Sequence, residues 1–192
     1  LGQRVVAALL PLLRDAADVA DRAQAHADLL FLTSTAAQRA YPGGAGYNTA
    51  QGDGVDGLLG GGRQFFLPTT AGGKRTDGRD LTAEFKAKGY TYVKNKAEFD
   101  AASATSTAKL VGLFTSSHMS YDLDRDPSAE PSLAEMTNKA IDVLSKNNRG
   151  FFLMVEGGRI DHALHETTAR KALQDTVAFD DAIKAALDKM QA

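Results

Sequence analysis

The sequence predicts an α/β protein in which a parallel-type sheet is flanked by helices, and three features carry that expectation. Short apolar runs at Val55 to Leu59, Tyr90 to Val93, Leu110 to Phe114 and Phe151 to Val155 alternate with helix-like stretches, the order expected of a parallel sheet covered by helices. Two helical stretches open on residues suited to cap them, Asp80 and Ser132. The last run, Phe151 to Val155, is continuously apolar, as a strand buried on both faces requires.

Residues 2–27 are rich in alanine and leucine, with Val5, Leu9, Leu12, Leu13, Ala16, Val19 and Ala20 at roughly helical spacing. They predict one core-facing helix or two, because Pro11 removes a hydrogen bond within the pattern and kinks or divides it. Leu29 to Leu32 reads as a short buried strand. Tyr41 to Gly54 is glycine-rich and polar, and cannot hold a regular element. Val55 to Leu59 with Gly60, Gly61 and Gly62 reads as strand and tight turn. A triple glycine can cradle phosphate through backbone N–H groups, but no GxxxxGK[ST] spacing follows, so a turn is the preferred reading.

Asp80 caps a helix that turns Leu81 and Phe85 inward and ends at Gly89. After the strand-like Tyr90 to Val93, Lys96 to Ala104 predicts a second short helix and Leu110 to Phe114 a second apolar strand. Ser132, just after Pro131 and three residues before Glu135, is a capping-box start for a helix over Leu133 to Lys146. The final helix, from about Glu166 to Met190, is expected to offer Leu173, Val177, Phe179, Ile183, Leu187 and Met190 to the core.

Composition excludes several classes. A chain of 192 residues buries one ordinary core and is expected to form a single domain. A net charge of −2 gives no general attraction to polyanions, so nucleic-acid binding is not indicated. The absence of cysteine removes disulfides and thiolate zinc sites. No apolar run approaches membrane-spanning length. The chain starts at Leu1 without a basic leader before an apolar core, as expected of a mature or trimmed chain.

One stretch argues chemistry. In Gly150 to Glu166, GFFLMVEGGRIDHALHE, the apolar run stops at Glu156, Gly157 and Gly158 let the backbone turn, and Asp161 and His165 follow four residues apart. That spacing puts both on one helix face, where they can approach one ion together. Glu156 would point to the same place from the strand end, outside the carboxyl edge of the sheet where ligands of open α/β folds bind. Carboxylate with imidazole suits zinc, and an oxygen shell built on Glu156 suits magnesium. On spacing alone, a solvated helix start explains Asp161 and His165 as well.

The segment VEGGRIDHALHETTARKALQDTVAFDDAI strongly resembles the metal-binding segment of the alkaline phosphatases, and GVDGLLGGGRQFF and TDGRDLTAEFKAKGYTYV resemble a strand, loop and helix of the same family. The resemblance runs from residue 54 to residue 187 and leaves residues 1–53 without a clear match. It implies part of an alkaline-phosphatase-like three-layer fold. It further implies that Glu156 is a magnesium ligand, that Asp161 and His165 hold one catalytic zinc, and that His162 lies near the magnesium and phosphate and reaches them indirectly. The implied activity is metal-dependent hydrolysis of phosphate monoesters through a phospho-enzyme, by a periplasmic or secreted homodimer. The alternative is a non-catalytic remnant or fragment with a partial metal site.

The remaining family residues have no counterpart of equal quality. The second-zinc ligands and the last zinc histidine come, in the family, after the helix that closes this chain. Thr33-Ser34-Thr35-Ala36-Ala37 loosely resembles the Thr-Asp-Ser-Ala-Ala that holds the nucleophile, which would put Thr35 in the serine's place. Yet Ser34 replaces a metal-binding aspartate, and a plain strand-to-helix turn is preferred; the nucleophile is unassigned. Arg159 is read as a salt-bridge partner at a helix start. Asp122, Asp124 and Asp126 resemble half a calcium loop, but Pro127 and Leu133 replace its glycine and closing glutamate. Some family members bind an extra calcium near LVGLFTSS, where Thr115 stands in place of their carboxylate. His118 lies in no GxSxG elbow, and His26 reads as a helix-surface residue.

Overall fold

In the computed structural model, residues 55–104, 109–148 and 150–191 are described. The expected helices of residues 2–27, the strand at Leu29 to Leu32, His26 and the Thr33 to Ala37 segment all lie outside them. A three-stranded parallel sheet forms the centre, from β1 (Gly57–Gly60), β2 (Thr91–Val93) and β3 (Leu110–Leu113). Its order is β1-β3-β2, with Leu110 opposite both Gly57 and Thr91. Parallel neighbours need crossovers, and helices α1 (Leu81–Ala87) and α2 (Lys96–Ala101) provide them. α3 (Leu133–Leu144), α4 (Gly158–His165) and α5 (Ala169–Gln191) follow. The helix-flanked parallel sheet is the expected α/β class.

β3 lies between two strands, and all four of its residues are buried. Its side chains alternate between two cores, as strand geometry demands. Val111 and Leu113 pack with Leu58, Phe66, Leu81, Phe85 and Tyr90 on the α1 side. Leu110 packs with Val93, Phe99, Phe114, Met136 and Val143 on the α2 and α3 side. Each large side chain so buried contributes on the order of 1.5–3 kcal/mol. Aromatic edges reinforce both cores, Phe85 against Tyr90 at 4.9 Å and Phe99 against Phe114 at 5.5 Å.

The caps act as expected. Asp80 accepts hydrogen bonds from the Thr82 and Ala83 amides, and Ser132 and Glu135 form a full capping box. α2 is shorter than expected, ending at Ala101.

Two larger expectations fail. Phe151 to Val155 forms no strand and joins no sheet among the described residues, and its residues are half-buried rather than buried. An apolar run supplies the preference for a strand, whereas the ladder needs a neighbour with free backbone groups. The last helix begins at Ala169, not Glu166, because the chain breaks at Thr167, whose φ is 54°. There the Thr168 amide and hydroxyl both donate to the Ala163 carbonyl and close the end of α4.

The inward face of α5 also differs. Ala172, Asp175, Ala182 and Ala186 are buried and Phe179 and Ile183 half-buried, while Leu173, Val177 and Leu187 are exposed. Two stripes on this helix have helical period. The alanine stripe faces inward because small side chains let α5 approach α3 and α4 closely.

Candidate metal centre

The glycine-rich turn after β1 sets the position of the loop after β3. The amides of Gly62, Arg63 and Gln64 donate to the carbonyls of Ser117, Thr115 and Ser116 at 2.6, 3.0 and 3.1 Å. Those amides are therefore satisfied by protein carbonyls, and the turn reading replaces a phosphate cradle. Gly61 is needed for space: a Cβ there would sit 2.3 Å from the Ser117 carbonyl oxygen. Thr115 donates its hydroxyl to that same carbonyl. Pinned in this way, the loop carries His118 to α4, where its ring lies 4.4 Å from that of His162.

α4 opens on Gly157 and Gly158. A Cβ at Gly157 would meet Ile160 and Phe179 at 3.0–3.3 Å, so the missing side chain allows α4 to start against α5. A Cβ at Gly158 would lie 3.8 Å from a carboxylate oxygen of Glu156, which places that carboxylate beside the first turn. One turn further, Asp161 Oδ1 and His165 Nε2 are 3.5 Å apart on the solvent face, their side chains 66% and 78% exposed. Two donors of a tetrahedral zinc, each about 2.1 Å from it, stand about 3.4 Å apart, so the pair fits one edge of such a site. Glu156 lies at the start of the same helix, outside that pair. Among the described residues no group of three or more His, Cys, Asp or Glu is gathered for a metal ion.

Behind this face, Arg159 differs from the expected salt-bridge partner. Its guanidinium lies 3.6 Å from the centre of the Tyr121 ring, and its Nη1 is 3.0 Å from His162 Nδ1. Lys171 also approaches the Tyr121 ring, at 4.5 Å. Burial, then the charges of His162 and Arg159, hold the His118 imidazole below the ordinary histidine range. Nearby, burial foremost raises the Asp175 carboxyl. The acidic loop serves structure. Asp122 accepts from Gln174 and Arg125, Asp124 pairs with Lys171, and Asp126 accepts from Ser128. His118 and Tyr121 were not singled out as site residues by sequence reasoning. The available signal was their place just after a buried strand, at the carboxyl edge where such sheets bind ligands.

A sequence model of the family described as alkaline phosphatase matches residues 20–192. The membrane-bound alkaline phosphatase of Bombyx mori is 46% identical over 146 residues, 70% of this chain and 26% of that protein. The tissue-nonspecific alkaline phosphatase of Rattus norvegicus is 40% identical over 145 residues, 67% of this chain and 28% of its own length. The chain thus spans little more than a quarter of these relatives. Among solved structures, Thermus thermophilus alkaline phosphatase superposes with a TM-score of 0.61 at 40% identity, over 68% of this chain and 27% of that one. The enzyme of the Antarctic bacterium TAB5 gives 0.58 at 30% identity, over 71% and 37%, and a variant of it has magnesium bound in its M3 site.

Proposed function

The chain belongs to the alkaline phosphatase family, and on that premise we propose that its protein hydrolyses phosphate monoesters through a phospho-enzyme. Asp161 and His165 would hold zinc and Glu156 magnesium, with His162 reaching the phosphate indirectly. Bound there, the metals would supply Lewis-acid stabilisation of phosphate oxygens and a lowered pKa for coordinated water. The chain's own residues orient that chemistry: α4 holds an imidazole and a carboxylate on one face, and the glycine-rich turn fixes the loop that packs on His162. The observation that carries the reading is the 3.5 Å separation of Asp161 Oδ1 and His165 Nε2 on one face of α4. Family membership supports a periplasmic or secreted homodimer, and residues 1–192 forming part of one domain. No nucleophile is assigned; Thr35 matches the family's nucleophile motif only loosely, and a plain strand-to-helix turn is the preferred reading there.

A second reading is a non-catalytic remnant with a partial metal site. It is favoured by the lack of any three-ligand cluster among the described residues. Zinc calorimetry on the purified chain, with p-nitrophenyl phosphate hydrolysis at alkaline pH, separates the readings. Binding with turnover that His165→Ala abolishes supports the enzyme. Binding without turnover supports the remnant, and no zinc binding removes the metal assignment.

A further inference from the structure

We infer that Arg159, held against the face of Tyr121, is a positioning residue that fixes His162 as an Nε2–H hydrogen-bond donor. Arginine carries only donors, so an Nη1 at 3.0 Å from His162 Nδ1 requires the Nδ1 lone pair to accept. The single proton of the neutral ring is then on Nε2. Two ring contacts keep the guanidinium and the imidazole in that relation. Tyr121, 5% exposed, presents its face to the guanidinium at 3.6 Å, a cation–π arrangement that a planar guanidinium suits better than an ammonium. The hydrogen bond to His162 is made by Arg159 Nη1, while the buried Nε has no partner. The His118 ring packs against His162 at 4.4 Å and limits its rotation.

The consequence is chemical. With Nδ1 occupied by Arg159 and Nε2 protonated, His162 has no lone pair for a cation and one N–H for an oxyanion. This distinguishes it from His165, three residues further along α4, whose Nε2 faces Asp161. The purpose assigned here, donation toward a phosphate oxygen or its water, rests on the proposed phosphate site. The tautomer and its cause rest on the contacts alone.

The test is long-range proton–nitrogen NMR of the metal-free, nitrogen-15-labelled chain of 192 residues, at a pH where the imidazoles are neutral, with His162→Gln assigning the ring signals. In the wild type, His162 is expected as one tautomer, Nε2 protonated and Nδ1 accepting. Arg159→Met is expected to move the Nδ1 signal toward that of a free imidazole exchanging between tautomers, and Arg159→Lys to restore the wild-type position only in part. A wild-type His162 that is protonated on Nδ1 or already averaged overturns the inference. So does an Arg159→Met chain with unchanged ring signals. If that variant does not fold, Tyr121→Leu, which removes the platform, is expected to give the same shift, and the wild-type spectrum is decisive by itself. Zinc binding reports separately on the metal reading, since this measurement uses no metal.

Discussion

Gly61→Ala should be among the most damaging single-methyl additions to this protein. The new Cβ would lie 2.3 Å from the Ser117 carbonyl oxygen, 2.6 Å from Thr115 Oγ1 and 3.0 Å from the Met119 amide. None of these is the free end of a flexible side chain. Relief requires the 115–119 loop to move away from the turn, which breaks the 2.6 Å bond from the Gly62 amide and strains its two neighbours. Overpacking costs about 1–3 kcal/mol, and one lost backbone hydrogen bond adds about 1 kcal/mol. The sum, roughly 2–4 kcal/mol, is a large part of the stability of an ordinary domain, about 5–15 kcal/mol. With a urea slope of about 2 kcal/mol/M, the unfolding midpoint should fall by roughly 1–2 M. Gly57→Ala is the control, because nothing lies within 4 Å of a Cβ there. Urea titration followed by circular dichroism decides the matter. An unchanged midpoint for Gly61→Ala, or an equal fall for Gly57→Ala, would refute the steric reasoning.

Three further outcomes are expected. His165→Ala should weaken zinc binding to the chain by about tenfold or more in calorimetry, since it removes one of two adjacent donors. Thr167→Gly should raise stability by about 0.5–1 kcal/mol in thermal unfolding: a left-handed conformation costs an L-residue roughly 1–2 kcal/mol, partly offset by the greater freedom of glycine in the unfolded chain. Asp175 has a raised folded-state pKa, so its contribution to stability is fully present below the ordinary aspartate pKa and is lost as pH rises through the folded value. Asp175→Asn should therefore stabilise the protein at neutral pH and have little effect near pH 3, as measured by melting temperature across that range.

Much of this protein could be read without coordinates. Residues that act through their own backbone neighbourhood announce themselves: Asp80 and Ser132 cap helices because their oxygens reach amides two or three residues on. The α/β class follows from the alternation of short apolar runs with capped helices, and Asp161 and His165 meet because they are one helical turn apart. Tertiary structure decided what depends on partners distant in the chain. Phe151 to Val155 has the composition of a buried strand, yet a strand exists only where a neighbour offers free carbonyls and amides. On α5, two stripes shared one period, and close packing against α3 and α4 selected alanines over Leu173, Val177 and Leu187. Arg159 could not be placed on Tyr121, nor His118 on His162, from spacing, because these pairs are set by how the loop after β3 is pinned to the turn after β1. Local periodicity and capping are short-range properties that a sequence carries in itself, whereas burial and cross-chain contact are properties of the whole packing.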